Sequence, residues 1–204
     1  MARVLLVIPP FGGIDRPSLG IHTLQAVARS RGHLVDIYYS NMDFAARLGE
    51  VSYMIVTSFG VLKLFGERAL GLKRGAIIPP ALLEELNEQV EEAAALRGLK
   101  AEPVTMELLK AATTAWLNDA AMVVRSSAYD VIGFSTTFEQ TNGVDLLAKL
   151  CRSLLPSVKL VAGGANCEGR MAEGMRRYIP ELDTVFSGES EIAFADYLDD
   201  PEHQ

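Results

Sequence analysis

The stretch VLLVIPPFGGIDRPSLGIHTL, residues 4–24, runs from an apolar segment through a loop into the start of a helix. Val4–Ile8 holds only Val, Leu and Ile, the composition of a strand buried on both faces. It is too short for the core of a signal peptide, which needs roughly seven to fifteen apolar residues. Pro9-Pro10 closes the run. Pro17 is expected to open a helix in which Ile21, Leu24 and Ala28 share one face and Gly32 is the stop. Four more short apolar runs follow: Leu34–Tyr39, Val131–Ser135, Lys159–Ala162 and Thr184–Phe186. Helical spacing links the later ones, through Val144, Leu147, Cys151 and Leu154, then through Met171, Met175 and Tyr178. A last helix is expected from about Glu191 to Leu198. Alternating strands and helices predict an α/β fold with a doubly wound, parallel, five-stranded sheet. Right-handed crossovers then place every strand-to-helix loop on one edge of that sheet.

The 204 residues suit one large domain carrying an insertion. Between the second and third strands lie roughly 90 residues, where such connections usually run about two to six. Leu82, Leu86 and Val90 predict one helix there, with Glu84, Glu85, Glu88, Glu91 and Glu92 outward. Leu109, Ala112, Trp116, Ala120 and Val123 predict another, and Pro79-Pro80 and Pro103 punctuate the segment. The reading is therefore a domain over 1–200 with a helical insertion at about 50–128, and a tail or linker at 201–204. The acidic helix face is either a solvated surface or a docking face.

Composition removes several function classes. Hydrophobic residues at 49% and charged residues at 22% describe a globular chain. Lys and Arg number 19 against 26 Asp and Glu, a formal charge of −7. That balance argues against a nucleic-acid partner, which requires a basic face, and against an anionic membrane surface. No apolar run is long enough to span a bilayer. Cys151 and Cys167 make neither a disulfide framework nor a four-ligand metal site, so cytosolic thiols and a cytoplasmic location are expected.

The loops at the strand ends carry the candidate chemistry. The first, Phe11 to Gly20, has neither the G-x-G-x-x-G of a dinucleotide site nor a G-x-x-x-x-G-K-[ST] phosphate cradle. In it, Asp15 and Ser18 read as helix caps or as ligand contacts. The third strand ends Gly133-Phe134-Ser135-Thr136-Thr137, a cluster of hydroxyls where open α/β sheets bind ligands. The fourth ends Gly163-Gly164-Ala165-Asn166; two missing Cβ atoms make a simple turn or admit a bulky group to the backbone. After the fifth come Gly188-Glu189-Ser190-Glu191, with Ser190 placed to cap the last helix and Glu191 beside its positive end.

Taken together, these loops resemble the cobalamin-binding domain, which is a flavodoxin-like (Rossmann-like) fold. Asp15-Arg16-Pro17-Ser18-Leu19-Gly20 is similar to that family's D-x-H-x-x-G, with Pro17 in place of the histidine; Ser135-Thr136-Thr137 and Gly163-Gly164 are similar to its later motifs. Val4–Pro10 with Pro17-Ser18-Leu19-Gly20, and Gly188-Glu189-Ser190-Glu191 ahead of Phe194, resemble the N-terminal half of cobalamin-dependent radical S-adenosylmethionine enzymes. Asn41-Met42-Asp43-Phe44-Ala45, Leu48-Gly49, Tyr53 and Gly66-Glu67-Arg68 resemble the subgroup that matures ribosomally synthesised peptides.

The resemblance implies a cobalamin-binding domain of a C-methyltransferase acting on a peptide substrate. It implies cofactor contacts from Pro10, Asp15, Pro17, Ser18, Leu19, Gly20, Ser135, Thr136, Thr137, Gly163, Gly164, Asn166, Gly188 and Glu189. The family's nucleotide tail passes the glycines, so a valine at Gly164 is expected to fill its space. Proline offers no lone pair, so cobalamin is expected base-off, without a protein ligand to cobalt; His22, five residues on, is expected to point elsewhere. Cys167 is placed to reach the ligand edge, and Cys151 to pack in the core. No catalytic residue is expected. S-adenosylmethionine and a 4Fe-4S cluster need the three cysteines of C-x-x-x-C-x-x-C, which this chain lacks. They are assigned to a radical S-adenosylmethionine domain in the same chain or in trans. The alternative is a non-enzymatic flavodoxin-like regulatory or adaptor domain. A phosphoacceptor regulator is disfavoured, because the first strand ends in Pro9-Pro10 and not in an acidic pair.

Overall fold

A computed structural model describes residues 1–200, and for 59–62 the backbone alone. The expected tail at 201–204 lies outside the described residues. The apolar runs become β1 (Arg3–Val7), β2 (Leu34–Tyr38), β3 (Val131–Ser135), β4 (Lys159–Gly163) and β5 (Thr184–Val185). All pair in parallel, in the order β2-β1-β3-β4-β5. This is the flavodoxin-like doubly wound sheet, and strand order reverses between β1 and β3. Strand ends move by about a residue from the sequence reading. Phe186, for instance, leaves the ladder although its amide still reaches the Ala162 carbonyl at 2.8 Å.

The helices are α1 (Leu19–Ser30), α2 (Ser40–Leu48), α3 (Glu50–Lys63), α4 (Phe65–Leu70), α5 (Pro80–Leu96), α6 (Met106–Arg125), α7 (Thr141–Leu154), α8 (Arg170–Tyr178) and α9 (Glu191–Asp199). Helix α1 starts two residues after Pro17, because Ser18 keeps an extended backbone (φ −73°, ψ 104°) and takes the N-cap position. At its other end the Arg31 and Gly32 amides return to the Ala28 and Arg29 carbonyls. Helical structure between β2 and β3 begins at Ser40, ten residues before the expected insertion. Asn41, Phe44, Ala45 and Leu48 form the buried stripe of α2. In α6 the buried stripe turns to Val124, which is 1% exposed, in place of Val123. Thr105 caps this helix by accepting the Leu108 amide at 3.1 Å.

The two faces of the sheet are covered unequally. On one, Leu5, Val7, Ile132 and Phe134 join a single core with Phe44, Tyr53, Phe65, Leu86, Leu109 and Trp116, so the helices between β2 and β3 pack continuously with the sheet. Phe44 meets Trp116 edge-on at 5.9 Å, and Phe11 stacks on Tyr53 at 5.8 Å. On the other face, Val4, Leu6, Ile8, Val131 and Val161 pack against only α1 and α9, through Ile21, Ala28, Phe194, Tyr197 and Leu198. These two helices are clamped at the N-terminal edge of the sheet. Arg31 reaches Asp196 at 2.5 Å and Asp199 at 2.9 Å; His33 bonds Asp199 at 3.0 Å and accepts the Ala2 amide at 3.1 Å.

Candidate functional site

Toward the C-terminal edge, the thinly covered face opens into a cleft of about 270 Å³ between α1 and α9. Its floor is Leu6, Gly133 and Val161, which lie side by side in the sheet register. Its walls are Ile21 and Leu24 of α1 against Phe186 and Phe194. Gly133 supplies no side chain in the middle of the floor, where a Cβ would stand 2.9 Å from Leu6 Cδ2. The first turns of α1 and α9 and the ends of β3 and β4 form the mouth, so the cleft spans the switch point where doubly wound sheets bind ligands.

Of the residues expected at a site, Ser18, Gly20, Ser135, Thr136, Thr137, Gly163, Gly164, Gly188 and Glu189 line this cleft. Asp15 and Pro17 line a depression beside it, and Ser18, Ser135 and Thr137 border both spaces. Three expected residues lie elsewhere. Pro10 is buried against the start of α7, with its Cδ 3.5 Å from where a Cβ on Gly143 would be. Leu19 is 81% exposed. Asn166 turns inward, where its amide bonds the Thr137 carbonyl and, at 3.3 Å, the Thr141 hydroxyl.

The hydroxyls divide by what they already bond. Thr136 donates to the Gly163 carbonyl at 3.1 Å and lies 3.2 Å from Cys167 Sγ; Thr137 donates to Gln140 at 2.9 Å. Ser190 sits at the N-cap of α9, yet its hydroxyl donates to the Gly188 carbonyl at 3.2 Å and caps nothing. Ser18 likewise makes no cap bond. Among the described residues, its hydroxyl and that of Ser135 are therefore the uncommitted ones at the mouth. Asp15 pairs with Arg16 at 2.7 Å, which holds its carboxyl below the usual range. Among the described residues, Glu189 and Glu191 are the charged groups lining the cleft, and no Lys, Arg or His joins them.

The two adjacent glycines do different work. Gly164 has φ +117°, and a Cβ there would come within 2.4 Å of the Thr136 carbonyl oxygen. That distance is impossible without moving backbone, so Gly164 shapes the turn and does not leave room for a ligand. Gly163 is the glycine that opens the cleft. A Cβ on it would meet Phe186 Cβ at 3.6 Å and Ser190 Oγ at 3.8 Å, ordinary contacts inside the cavity mouth.

His22 bonds the Tyr39 hydroxyl at 2.5 Å. Cys167 is fully buried beneath Thr136, outside the cleft lining, and burial pushes its thiol up; Cys151 lies in the core. Among the described residues no group of three His, Cys, Asp or Glu is placed to hold a metal ion, and no helix is long and apolar enough to cross a membrane. Comparisons with protein-family models, with curated proteins and with solved structures return no match.

Sequence reasoning missed the apolar half of the site: Leu6, Ile21, Leu24, Gly133, Phe186 and Phe194. A signal existed in Gly133, a lone glycine inside a buried strand, which marks a close approach or a missing wall. Phe194 entered only through the resemblance of the segment behind Glu191, and Phe186 carried no signal, since an aromatic residue at the end of a strand fits an ordinary core.

Proposed function

We propose that this chain is a cobalamin-binding domain serving a radical S-adenosylmethionine C-methyltransferase that matures a ribosomally synthesised peptide. The observation that carries the reading is the cleft itself. It is an apolar slot between the sheet and the first turns of α1 and α9, opened by Gly163 and bordered by the free hydroxyls of Ser18 and Ser135. Its volume of about 270 Å³ is just below the usual range for whole-ligand sites, about 300–1,000 Å³. It suits a nucleotide-like tail, and the bulk of a larger cofactor would lie across the strand ends outside. The charge pattern favours the same class. Two carboxylates with no cation disfavour flavin or nicotinamide cofactors that present several phosphate charges. One phosphodiester is compatible with the unsatisfied amides at the start of α1.

Within that reading the protein binds and orients, while bound cobalamin supplies cobalt-centred methyl transfer. Ile21, Leu24, Phe186 and Phe194 exclude water from the tail. Ser18 and Ser135 offer it hydrogen bonds. Pro17 carries no lone pair that it could offer to cobalt, and His22 is occupied by Tyr39. The cluster and S-adenosylmethionine belong to a radical domain acting with this one. A second reading, a non-enzymatic adaptor, draws on Leu19, Phe138 and Ile192, which are 81%, 68% and 62% exposed near the same edge.

Titration of cob(II)alamin with residues 1–204, followed by visible absorption and electron paramagnetic resonance, decides between them. Saturable binding with no axial nitrogen splitting is expected. An unchanged spectrum would leave the adaptor. A nitrogen splitting that vanishes in His22→Ala would overturn the base-off assignment without a protein ligand.

A further inference from the structure

The carboxyl of Glu139 is 4% exposed and sits where the loop after β3 meets α4. Its Oε2 accepts the Gly66 amide at 3.0 Å, whereas Oε1 is buried without a partner. Gly66 permits this approach, because a Cβ on it would lie 2.7 Å from Glu139 Oε2 and 2.6 Å from the Phe11 ring. The contact is reciprocated. Glu67 of α4 accepts the Thr141 and Asn142 amides at 2.7 and 2.8 Å, capping α7 just beyond Glu139. Glu139 thus ties α4 to the loop running from Thr136 to Gln140, Glu67 ties α4 to the first turn of α7, and Thr136 and Thr137 of that loop line the cleft. The junction is strained: Phe11, Leu64 and Glu139 all have positive φ (67°, 53° and 62°), a region that residues other than glycine enter at a cost.

We propose that Glu139 is a positioning residue whose protonated side chain latches the Thr136–Gln140 rim of the cleft onto α4, and that loss of its proton loosens the rim and weakens ligand binding. The groups packed around it support this. From α4 it faces the Phe65 and Gly66 amides, which favour its charged form, and the Glu67 carboxylate, which opposes it; from the loop after β1 it faces the Phe11 ring, and no cation faces it among the described residues. Burial, with Glu67 adding like charge, outweighs the Gly66 and Phe65 amides and pushes its carboxyl up to about 7. The charged form is therefore disfavoured against both an acidic neighbour and an apolar wall. Relief comes when water reaches Oε1, which requires the loop and α4 to part. Strained φ values at all three contributing segments make parting less costly than in relaxed backbone.

The ligand arm of the test rests on the cobalamin reading; the exchange arm does not. Hydrogen exchange of residues 136–140 and 64–68, corrected for intrinsic rates, is measured on the ligand-free chain at pH 6 and pH 8.5. Cob(II)alamin affinity is measured at both values. Protection of the rim is expected to fall by several-fold at the higher pH, and affinity with it. Glu139→Gln should remove both pH dependences. Glu67→Gln removes a like charge that bears on Glu139, so the midpoint of both pH dependences should move to lower pH, and an unmoved or higher midpoint would overturn the assignment to Glu139. This second variant keeps the test open if Glu139→Gln fails to fold. Equal protection at both pH values in the wild-type chain overturns the latch. No cobalamin binding at either pH, with rim exchange still pH-dependent, overturns the cobalamin reading and leaves the latch standing.

Discussion

The two faces of the sheet differ in what fills them. On the face covered by α2 to α8, aromatic and aliphatic side chains interlock directly over the strands, with Trp116, Tyr53, Phe44 and Phe65 all fully buried, and the hollows on that side lie among the outer helices, beside Leu70 and Thr113 or Val90 and Ala94. On the other face only α1 and α9 lie over β1, β3 and β4, clamped at one end and separated by an apolar slot at the other. The lesson is a division of labour. Apolar burial is the dominant favourable term in folding, and the larger core supplies most of it. The thin face can then leave apolar surface unfilled where a ligand is to enter.

Substitutions that strike each face differently can break this comparison. The largest effect is expected for Gly164→Val, where a Cβ would stand 2.4 Å from a backbone oxygen at φ +117°. The turn would have to rebuild, and thermal unfolding should show a protein lacking a cooperative transition or one with its midpoint lowered by many degrees. A variant with wild-type melting would contradict the assignment of Gly164 to the turn. Next comes a pair of truncations. Trp116→Ala in the filled face should cost about 3–5 kcal/mol in denaturant unfolding. Leu24→Ala, on a half-buried cleft wall, should cost only about 1–2 kcal/mol, because the truncated atoms already face open space. Equal costs would mean that the thin face is packed as fully as the other.

A smaller effect separates pH values. Glu139 holds its proton to about 7 in the folded chain, against an ordinary 4.5. Between those values the folded state binds more protons than the unfolded one, so stability falls as pH rises through that window and this group adds no slope above it. The loss is on the order of 1–3 kcal/mol. Glu139→Gln should flatten the profile measured by urea unfolding from pH 5 to pH 8. A wild-type profile already flat there would show that the carboxyl is ordinary.

Much of this contrast was legible in the sequence, and for stated reasons. Val4–Ile8 reads as a strand because an unbroken apolar pentapeptide of β-branched and leucine residues suits a strand buried on both faces, and both the parallel sheet and its ligand edge follow from five short apolar runs with helices between. Helix α2 was missed although Asn41, Phe44, Ala45 and Leu48 keep helical spacing. Its polar start, Ser40-Asn41, is held by partners distant in sequence: the Ser40 hydroxyl donates to the Ile8 carbonyl at 3.0 Å and Asn41 bonds the Gly12 and Gly13 carbonyls. The hydroxyl and glycine residues of the cleft were found because small polar residues at strand ends are locally unusual. The roles of Gly163 and Gly164 were not separable, since which neighbour a missing Cβ faces is decided by β3 and α9, distant in sequence. Glu139 was invisible for the same reason: its burial depends on Gly66, 73 residues away.

The central claim, that the thin face holds a cobalamin cleft opened by Gly163, is tested most directly by one titration. Cob(II)alamin is added to the wild-type chain and to Gly163→Val at pH 6, with visible absorption as the readout and thermal unfolding of each protein alongside. The account predicts saturable binding to the wild type, and at least a tenfold weaker interaction with a variant that still melts cooperatively (about 1.4 kcal/mol). Equal binding by the two proteins, or none by the wild type, would contradict it.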